Sequence, residues 1–97
     1  MKTVRLSPRA EADLEEIGDY IARDNPARAA TFVLELENAC ARIADNPNAY
    51  ALRNDLAEGL RMAVYRPYLI LFRILASEIR VERVVHGSRN LPLLWQS

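Results

Sequence analysis

Six side chains in the second half of this 97-residue chain are of types that do chemistry: Arg61, Arg73, Arg80, Arg83, His86 and Arg89. His86 is the sole histidine, and an imidazole is the side chain that changes charge near neutral pH without help from its surroundings. Arginine's planar fork suits bidentate binding of carboxylate or phosphate. Guanidinium groups at Arg61, Arg73 and Arg89 to hold phosphates, with His86 to move a proton, are the minimum for cleaving RNA through its own 2′-hydroxyl. A plainer reading stands beside this one, in which His86 is a hydrogen-bonded structural residue at a strand end and the arginines follow composition. There is no Gly-rich phosphate loop, no CxxC pair, no GxSxG and no carboxylate pair on the expected sheet face, which removes most enzyme classes.

These residues need strands to position them. Residues 60–65 alternate Leu60, Met62 and Val64 against Arg61, Ala63 and Tyr65, the two-residue period of a half-buried strand, whose polar side then carries Arg61. Arg66-Pro67 interrupts, because proline cannot donate to a ladder and restricts the residue before it. Residues 68–75 are almost continuously apolar apart from Arg73 and read as a central strand covered on both faces. Ala76-Ser77-Glu78 turns the chain into residues 79–86. Three strands joined by short connections predict an antiparallel meander.

The first half supplies the support. Thr3–Leu6 is a short extended segment expected to join the sheet. Ser7-Pro8 gives an N-cap hydroxyl and a proline at the first helical position. Ala10, Leu14, Ile17 and Ile21 then follow at helical spacing, with Glu11, Glu15, Glu16 and Asp19 on the other side. Asp24-Asn25-Pro26 repeats the cap-plus-proline signal, predicting an αα-hairpin. The second helix, residues 27 to about 45, carries Ala29, Phe32, Val33, Leu36, Cys40 and Ile43 on one stripe and ends at Asn46-Pro47-Asn48. Neither helix buries its stripe alone, so packing the hairpin on one sheet face satisfies both. The expected fold is α+β, β-α-α-β-β-β, a helical hairpin on an antiparallel sheet, in one domain over residues 1–97. Residues 49–59 have no clear period and are expected to be a loop across an end of the sheet. The tail after His86 is too rich in Gly, Asn and Pro to extend the sheet, yet Leu91, Leu93, Leu94 and Trp95 are too apolar to stand in water. They fold back on the domain or meet a partner.

About half the residues are apolar and a quarter charged, the ordinary range for a globular protein. No apolar run is long enough for a signal peptide core or a bilayer span, so a cytoplasmic location without membrane contact is expected. One cysteine and one histidine exclude an internal disulfide and a common zinc site, and no cofactor is expected. Cys40 falls on the apolar stripe of the second helix and reads as a core residue. The formal net charge of zero hides an asymmetry: residues 1–48 hold six basic against nine acidic side chains, and residues 49–97 hold seven arginines against four acids. The sheet half is basic and the helical half acidic.

The order of these parts, with Leu6-Ser7-Pro8, Ala10, Asp13-Leu14, Ile17, Tyr20-Ile21, Asn25-Pro26, Gly59-Leu60-Arg61, Tyr68-Leu69-Ile70, Phe72-Arg73, Arg83-Val84, His86-Gly87, Arg89 and Leu91, resembles the RelE/ParE toxin superfamily, and more closely its ParE branch. The resemblance runs nearly the whole length. It implies a small growth-arresting toxin of a bacterial type II toxin–antitoxin system, neutralised by a ParD-like antitoxin and meeting operator DNA only through the antitoxin complex. RelE-type members cleave messenger RNA on the ribosome with basic residues and, in many, a tail tyrosine; ParE-type members stall DNA gyrase with no catalytic residue of their own known to be required. Here the last tyrosine is Tyr68 and the tail offers Trp95, so the gyrase branch is favoured and no catalytic residue is assigned. RNA cleavage by Arg61, Arg73, His86 and Arg89 is the alternative, and a non-toxic partner of the antitoxin is a third. Expected target-binding residues are Arg61, Arg73, Arg83, His86, Arg89 and Trp95. The resemblance further implies an antitoxin groove between hairpin and sheet, for which Leu14, Ile17, Tyr20, Leu91 and Trp95 are the candidates, and the acidic face of the first helix is equally suited to basic antitoxin residues.

Overall fold

The computed structural model describes residues 1–95, so the last two residues of the expected domain lie outside the described ones. The chain opens with strand β1 (Thr3–Leu6) and passes through Ser7, whose hydroxyl accepts the Ala10 N–H at 3.0 Å and starts helix α1 (Pro8–Ala22). The Asn25 side chain accepts the Arg28 N–H at 3.0 Å and starts helix α2 (Pro26–Arg42). Each cap gives one orphan N–H of its helix a partner, and each is followed by the proline that the first helical turn tolerates. Helix α2 ends three residues short of the expected Asp45, because Ile43–Asp45 tightens into a 3₁₀ turn ahead of Pro47. The remaining elements are β2 (Ala51–Leu52), β3 (Arg61–Tyr65), β4 (Tyr68–Ile74), β5 (Glu78–His86) and a short helix α3 (Leu91–Leu94). None of the described helices is long and apolar enough to cross a membrane.

The five strands form one sheet in the order β1-β5-β4-β3-β2. The meander β3-β4-β5 is antiparallel, as its short connections require. β1 is not: it lies parallel to β5, Thr3 opposite Glu78 through Leu6 opposite Val81, so the sheet is mixed. The two helices reverse the chain twice and deliver it to the end of the sheet where β1 finished. The segment after α2 runs back along the sheet edge, where β2 pairs antiparallel with Arg61 and Met62. β3 therefore runs in the direction of β1, and two further reversals give β5 that direction as well. Residues 49–59, expected to be a loop across one end, supply this return path, and their lack of period hid it.

Both faces of the sheet are covered. The helical hairpin buries Leu14, Ile17, Phe32, Leu36, Cys40 and Ile43 against Ala63, Tyr68, Ile70, Phe72, Ile79, Val81 and Val84. On the opposite face Leu60, Leu71 and Val85 are closed over by Leu91 of α3, with Leu56, Met62, Leu94 and Trp95 partly buried around them. The apolar tail thus folds back on its own sheet through Leu91, Leu94 and Trp95, while Leu93 stays 60% exposed. Burial has pushed the Cys40 thiol up to about 11, in keeping with an inert core residue. The alternation in β3 is real, but the strand is covered on both sides instead of half-buried: Leu60 and Met62 pack in the second cluster, while Ala63 and Tyr65, on the side read as polar, look into the main core, and Arg61, opposite Phe72, shares their side.

The edge of β5 is satisfied in three stages. β1 pairs with residues 78–81. Where β1 ends, the Ser7 N–H donates to the Val81 carbonyl at 2.9 Å and the Ser7 hydroxyl donates to the Glu82 carbonyl at 2.9 Å. One turn and a half further on, the Asp13 carboxylate accepts the Val84 N–H at 2.9 Å and both Arg83 Nε and Nη2, at 2.9 and 3.1 Å. Asp13 is 3% exposed, and the partner guanidinium 14%. A ladder shift between Leu71 and Phe72 leaves Glu82 as the extra residue of a bulge, a device that re-aims neighbouring side chains. Removing one partner of such a buried pair leaves the other charge and a backbone donor uncompensated, which costs about 3–5 kcal/mol. Asp13→Ala is therefore expected to destabilise the chain by about that amount in chemical unfolding, and Asp13→Asn, which keeps an acceptor for Val84, by less. Equal unfolding midpoints for wild type and Asp13→Ala would refute the role.

Candidate functional site

The arginines seen in the sequence do not share a face. Arg61, on the hairpin side, donates to the carbonyls of Asn48 at 3.2 Å and Tyr50 at 2.7 Å. Arg73 lies on the other side, donating to the Glu58 carbonyl at 2.8 Å and lying 2.6 Å from a Glu82 carboxylate oxygen. Arg80 stands directly opposite Arg73, a like-charge pair that would repel; Glu82 and Glu78, the latter 3.3 Å from Arg80, compensate them. Arg83 is held by Asp13. Each of these four guanidinium groups therefore already has a partner within the fold. Of the expected constellation, His86 and Arg89 remain together and exposed at the end of β5.

That end of the sheet is built by local chemistry. β4 starts at Tyr68 directly opposite His86, and the two rings meet edge to face with centroids 5.4 Å apart. The cis Arg66-Pro67 turn joins β3 to β4, and the Pro67 carbonyl accepts the Gly87 N–H at 2.8 Å, tying that turn to the start of the tail. The Ser88 N–H donates to His86 Nδ1 at 3.1 Å, and the Ser88 hydroxyl lies 2.8 Å from the same nitrogen. A backbone N–H only donates, so Nδ1 is the accepting nitrogen in this turn.

The hairpin closes the other wall. Phe32 packs against Tyr65 and Tyr68 at 5.8 and 5.7 Å between centroids. Over it, Arg28 forks onto Glu35 at 2.7 and 3.3 Å, and the Tyr65 hydroxyl donates to Glu35 at 2.6 Å. The result is a cleft of about 590 Å³ lined by Tyr20, Ile21, Phe32, Pro67, Tyr68 and His86, with Ser88 at its mouth. Burial pushes the Tyr68 phenol up, so it stays protonated at neutral pH. A hydroxyl does stand beside a base here, Ser88 at 2.8 Å from His86 Nδ1, but the Ser88 N–H occupies the same nitrogen and no carboxylate lines this cleft among the described residues. Its chemistry is that of recognition: an apolar floor with a few polar groups at the rim.

The sequence matches a family described as the ParE toxin of the type II toxin–antitoxin system, parDE, over residues 4–91. The chain belongs to the ParE toxin family. It is 32% identical over 91 residues to Toxin ParE1 of Caulobacter vibrioides, a match covering 93% of this chain and 94% of that one. It is also 31% identical over 81 residues to Toxin RelE2 of the same organism, covering 84% and 90%. Among solved structures, the chromosomal ParDE system from P. aeruginosa superposes with a TM-score of 0.79 at 24% identity, over 89% of this chain and 96% of that one, which speaks for the fold. The toxin–antitoxin complex RelBE2 from Mycobacterium tuberculosis superposes at 0.60 with 27% identity, over 88% and 96%. The superfamily resemblance read from the motifs is thereby borne out.

For a ParE-family chain the candidate residues fall in distinct places. Leu14 and Ile17 are buried in the main core and Leu91 in the second, at 5, 7 and 8% exposure. Tyr20 stands 65% exposed at the cleft mouth, and Trp95 is half-buried beside α3. Phe32 and Tyr68, read from sequence as core, line the cleft, and Arg66, read only as the residue before a proline, lines an adjoining cleft of about 460 Å³ that shares Pro67, Tyr68 and His86 with it. Nothing in the spacing of these three marks them, because strand pairing and the hairpin's position bring them together.

Glu35 holds the hairpin over the Tyr65 end. The Arg28 guanidinium first, and the Tyr65 hydroxyl second, lower its carboxyl below the usual carboxylate range. A carboxyl whose pKa is lower in the folded chain contributes stability that is full above its unfolded value of about 4.3 and fades as the pH falls through its folded value. Glu35→Gln is expected to flatten the acid limb of a melting-temperature profile below about pH 5, with little change in its slope above neutrality. An acid limb identical to wild type would show that the network contributes nothing.

Proposed function

We propose that this ParE-family toxin arrests growth by binding DNA gyrase and stalling it, and that a ParD-like antitoxin silences it. The observation that carries the reading is the dispersal of the nuclease constellation. Arg61 and Arg73 lie on opposite faces of the sheet, each already engaged by carbonyl or carboxylate oxygens, and His86 stands at the far end of β4 from both. Four residues of strand separate Tyr68, opposite His86, from Phe72, opposite Arg61, roughly 13 Å along the sheet. A phosphate and a 2′-hydroxyl held by these groups would not meet within hydrogen-bond reach. The tail, residues 87–97, carries Trp95 and no tyrosine. A gyrase-directed toxin needs a binding surface and no such cluster.

The antitoxin reading draws on the hairpin. A second groove, of about 410 Å³, runs between α1 and α2 over Leu14 and Val33 and is walled by Glu11, Glu15, Asp19 and Glu37. An antitoxin segment with apolar anchors and basic flanks complements it. Tyr20 lies at the end of α1, where such a segment would leave the hairpin. Operator DNA would be met through the antitoxin in that complex.

RNA cleavage is the second reading, favoured by the similarity to Toxin RelE2. Purified toxin should inhibit gyrase supercoiling and trap cleaved DNA, while leaving ribosome-bound messenger RNA intact in a parallel reaction. Cut messenger RNA with unaffected gyrase would reverse the assignment. Expression of the lone chain without effect on growth would favour a non-toxic partner of the antitoxin.

A further inference from the structure

Three clefts meet at the Pro67 end of the sheet and share Tyr68 and His86: the 590 Å³ cleft against the hairpin, one of about 460 Å³ reaching past Arg66 to Val64, and one of about 140 Å³ reaching Arg89. Through these shared residues they adjoin one another around the sheet end, as a trough that reaches Val64 and Leu69 on the face away from the hairpin. Its floor is apolar, from Ile21, Phe32, Pro67 and Tyr68, and the cleft at its Arg89 end also carries Asp13 and Glu16, which lie against Arg83 and Arg9. Its two extremities carry Arg66 and Arg89, both exposed, and neither guanidinium has a carboxylate within 4 Å among the described residues. Arg73, Arg80 and Arg83 are each matched by an acid; of the cations without one among the described residues, which also include Lys2, Arg23, Arg42 and Arg61, Arg66 and Arg89 are the two that line the trough.

We infer that this trough is the surface by which the toxin grips its protein target, and that it seats a polypeptide segment with a bulky apolar side chain flanked by carboxylates. The inference rests on the reading above that the target is a protein. An apolar pocket ringed by polar groups is the form of an interface anchor site, where one buried side chain supplies most of the affinity. The flanking arginines select for carboxylates on either side of that anchor and steer the encounter. Tracking a nucleic acid strand calls for a run of cations along the path, and here the intervening floor is apolar. The hairpin groove has acidic walls and no cation lining it, whereas the two acids at the Arg89 end of the trough lie against Arg83 and Arg9 and leave Arg66 and Arg89 as its cations without a carboxylate among the described residues. A segment complementary to one groove is thus mismatched to the other, and the two partners of the toxin sort to two surfaces by charge.

The test uses the full chain with both arginines reversed, Arg66→Glu with Arg89→Glu, beside a control of equal charge change at exposed positions outside the trough, Lys2→Glu with Arg42→Glu. Each is assayed for gyrase inhibition, for growth arrest on expression, for affinity toward the antitoxin encoded beside it, and for thermal unfolding. The trough pair should raise the concentration for half-inhibition by at least about tenfold and abolish growth arrest, with antitoxin affinity within about threefold of wild type and unfolding unchanged; the control should inhibit like wild type. Gyrase inhibition and growth arrest that survive the trough reversal would overturn the proposal. Loss of antitoxin affinity would also overturn it, assigning the trough to the antitoxin, as would a salt-dependent loss of binding to free DNA or RNA. If the wild-type chain leaves gyrase untouched, the gyrase reading fails by itself. Growth arrest then decides the trough, with arrest lost only in the trough pair supporting it and arrest retained overturning it.

Discussion

The Asp13 carboxylate is the point on which this fold turns. A parallel strand of four residues cannot cover the edge of a nine-residue strand, and an uncovered edge within a folded domain leaves backbone donors without partners. The chain solves this by continuing directly from β1 into a helix that lies along the rest of the edge. The residue at the junction, Ser7, caps the helix and bonds β5 at once. Asp13 completes the arrangement from inside the helix, replacing a strand carbonyl with a carboxylate. This side chain ties the hairpin to the edge of the sheet, beside the apolar core between the two layers and the Tyr65–Glu35 bond.

Covering both faces of the sheet follows from the same economy of length. With the hairpin on one face, the other presents Leu71 and Val85, and the short tail helix is the remaining apolar segment able to close it. The basic half of the sequence then becomes internal framework. Arg61 ties the return segment to the sheet, Arg73 ties the loop before β3 to it, and Arg83 ties the sheet to α1. Arginine suits this work because one planar fork reaches two acceptors at a surface where a lysine would offer a single charge. Arg66 and Arg89, at the end of the sheet with an apolar floor between, have no carboxylate within 4 Å among the described residues and are the part of the charge asymmetry that the proposed target surface draws on.

Most of the fold was legible in the sequence because it rests on local signals. The two Ser/Asn-plus-proline caps, the apolar stripes and the Arg66-Pro67 interruption each act within a few residues and appear where expected. The parallel placement of β1 was not legible, since it depends on the path of residues 43–60, where no period marks the two-residue strand. The face of Arg61 was also misassigned: alternation gives two sides, but which side meets the hairpin is a tertiary fact. The site was legible in part. His86 and Arg89 were found by residue type, whereas Leu14, Ile17 and Leu91 satisfied the helical or tail pattern and proved to be core. Phe32, Arg66 and Tyr68 join the site only through pairing across strands and between layers.

The most direct test of this account is hydrogen exchange at the Val84 amide. If Asp13 stands in for a strand, the Val84 amide in the native chain exchanges only through the large opening that also releases Val81, deep in the ladder. In Asp13→Ala it should exchange far faster than Val81. A Val84 amide that exchanges rapidly in the wild-type chain, or one whose protection is unaffected by the loss of Asp13, would contradict the claim that this carboxylate closes the edge of β5.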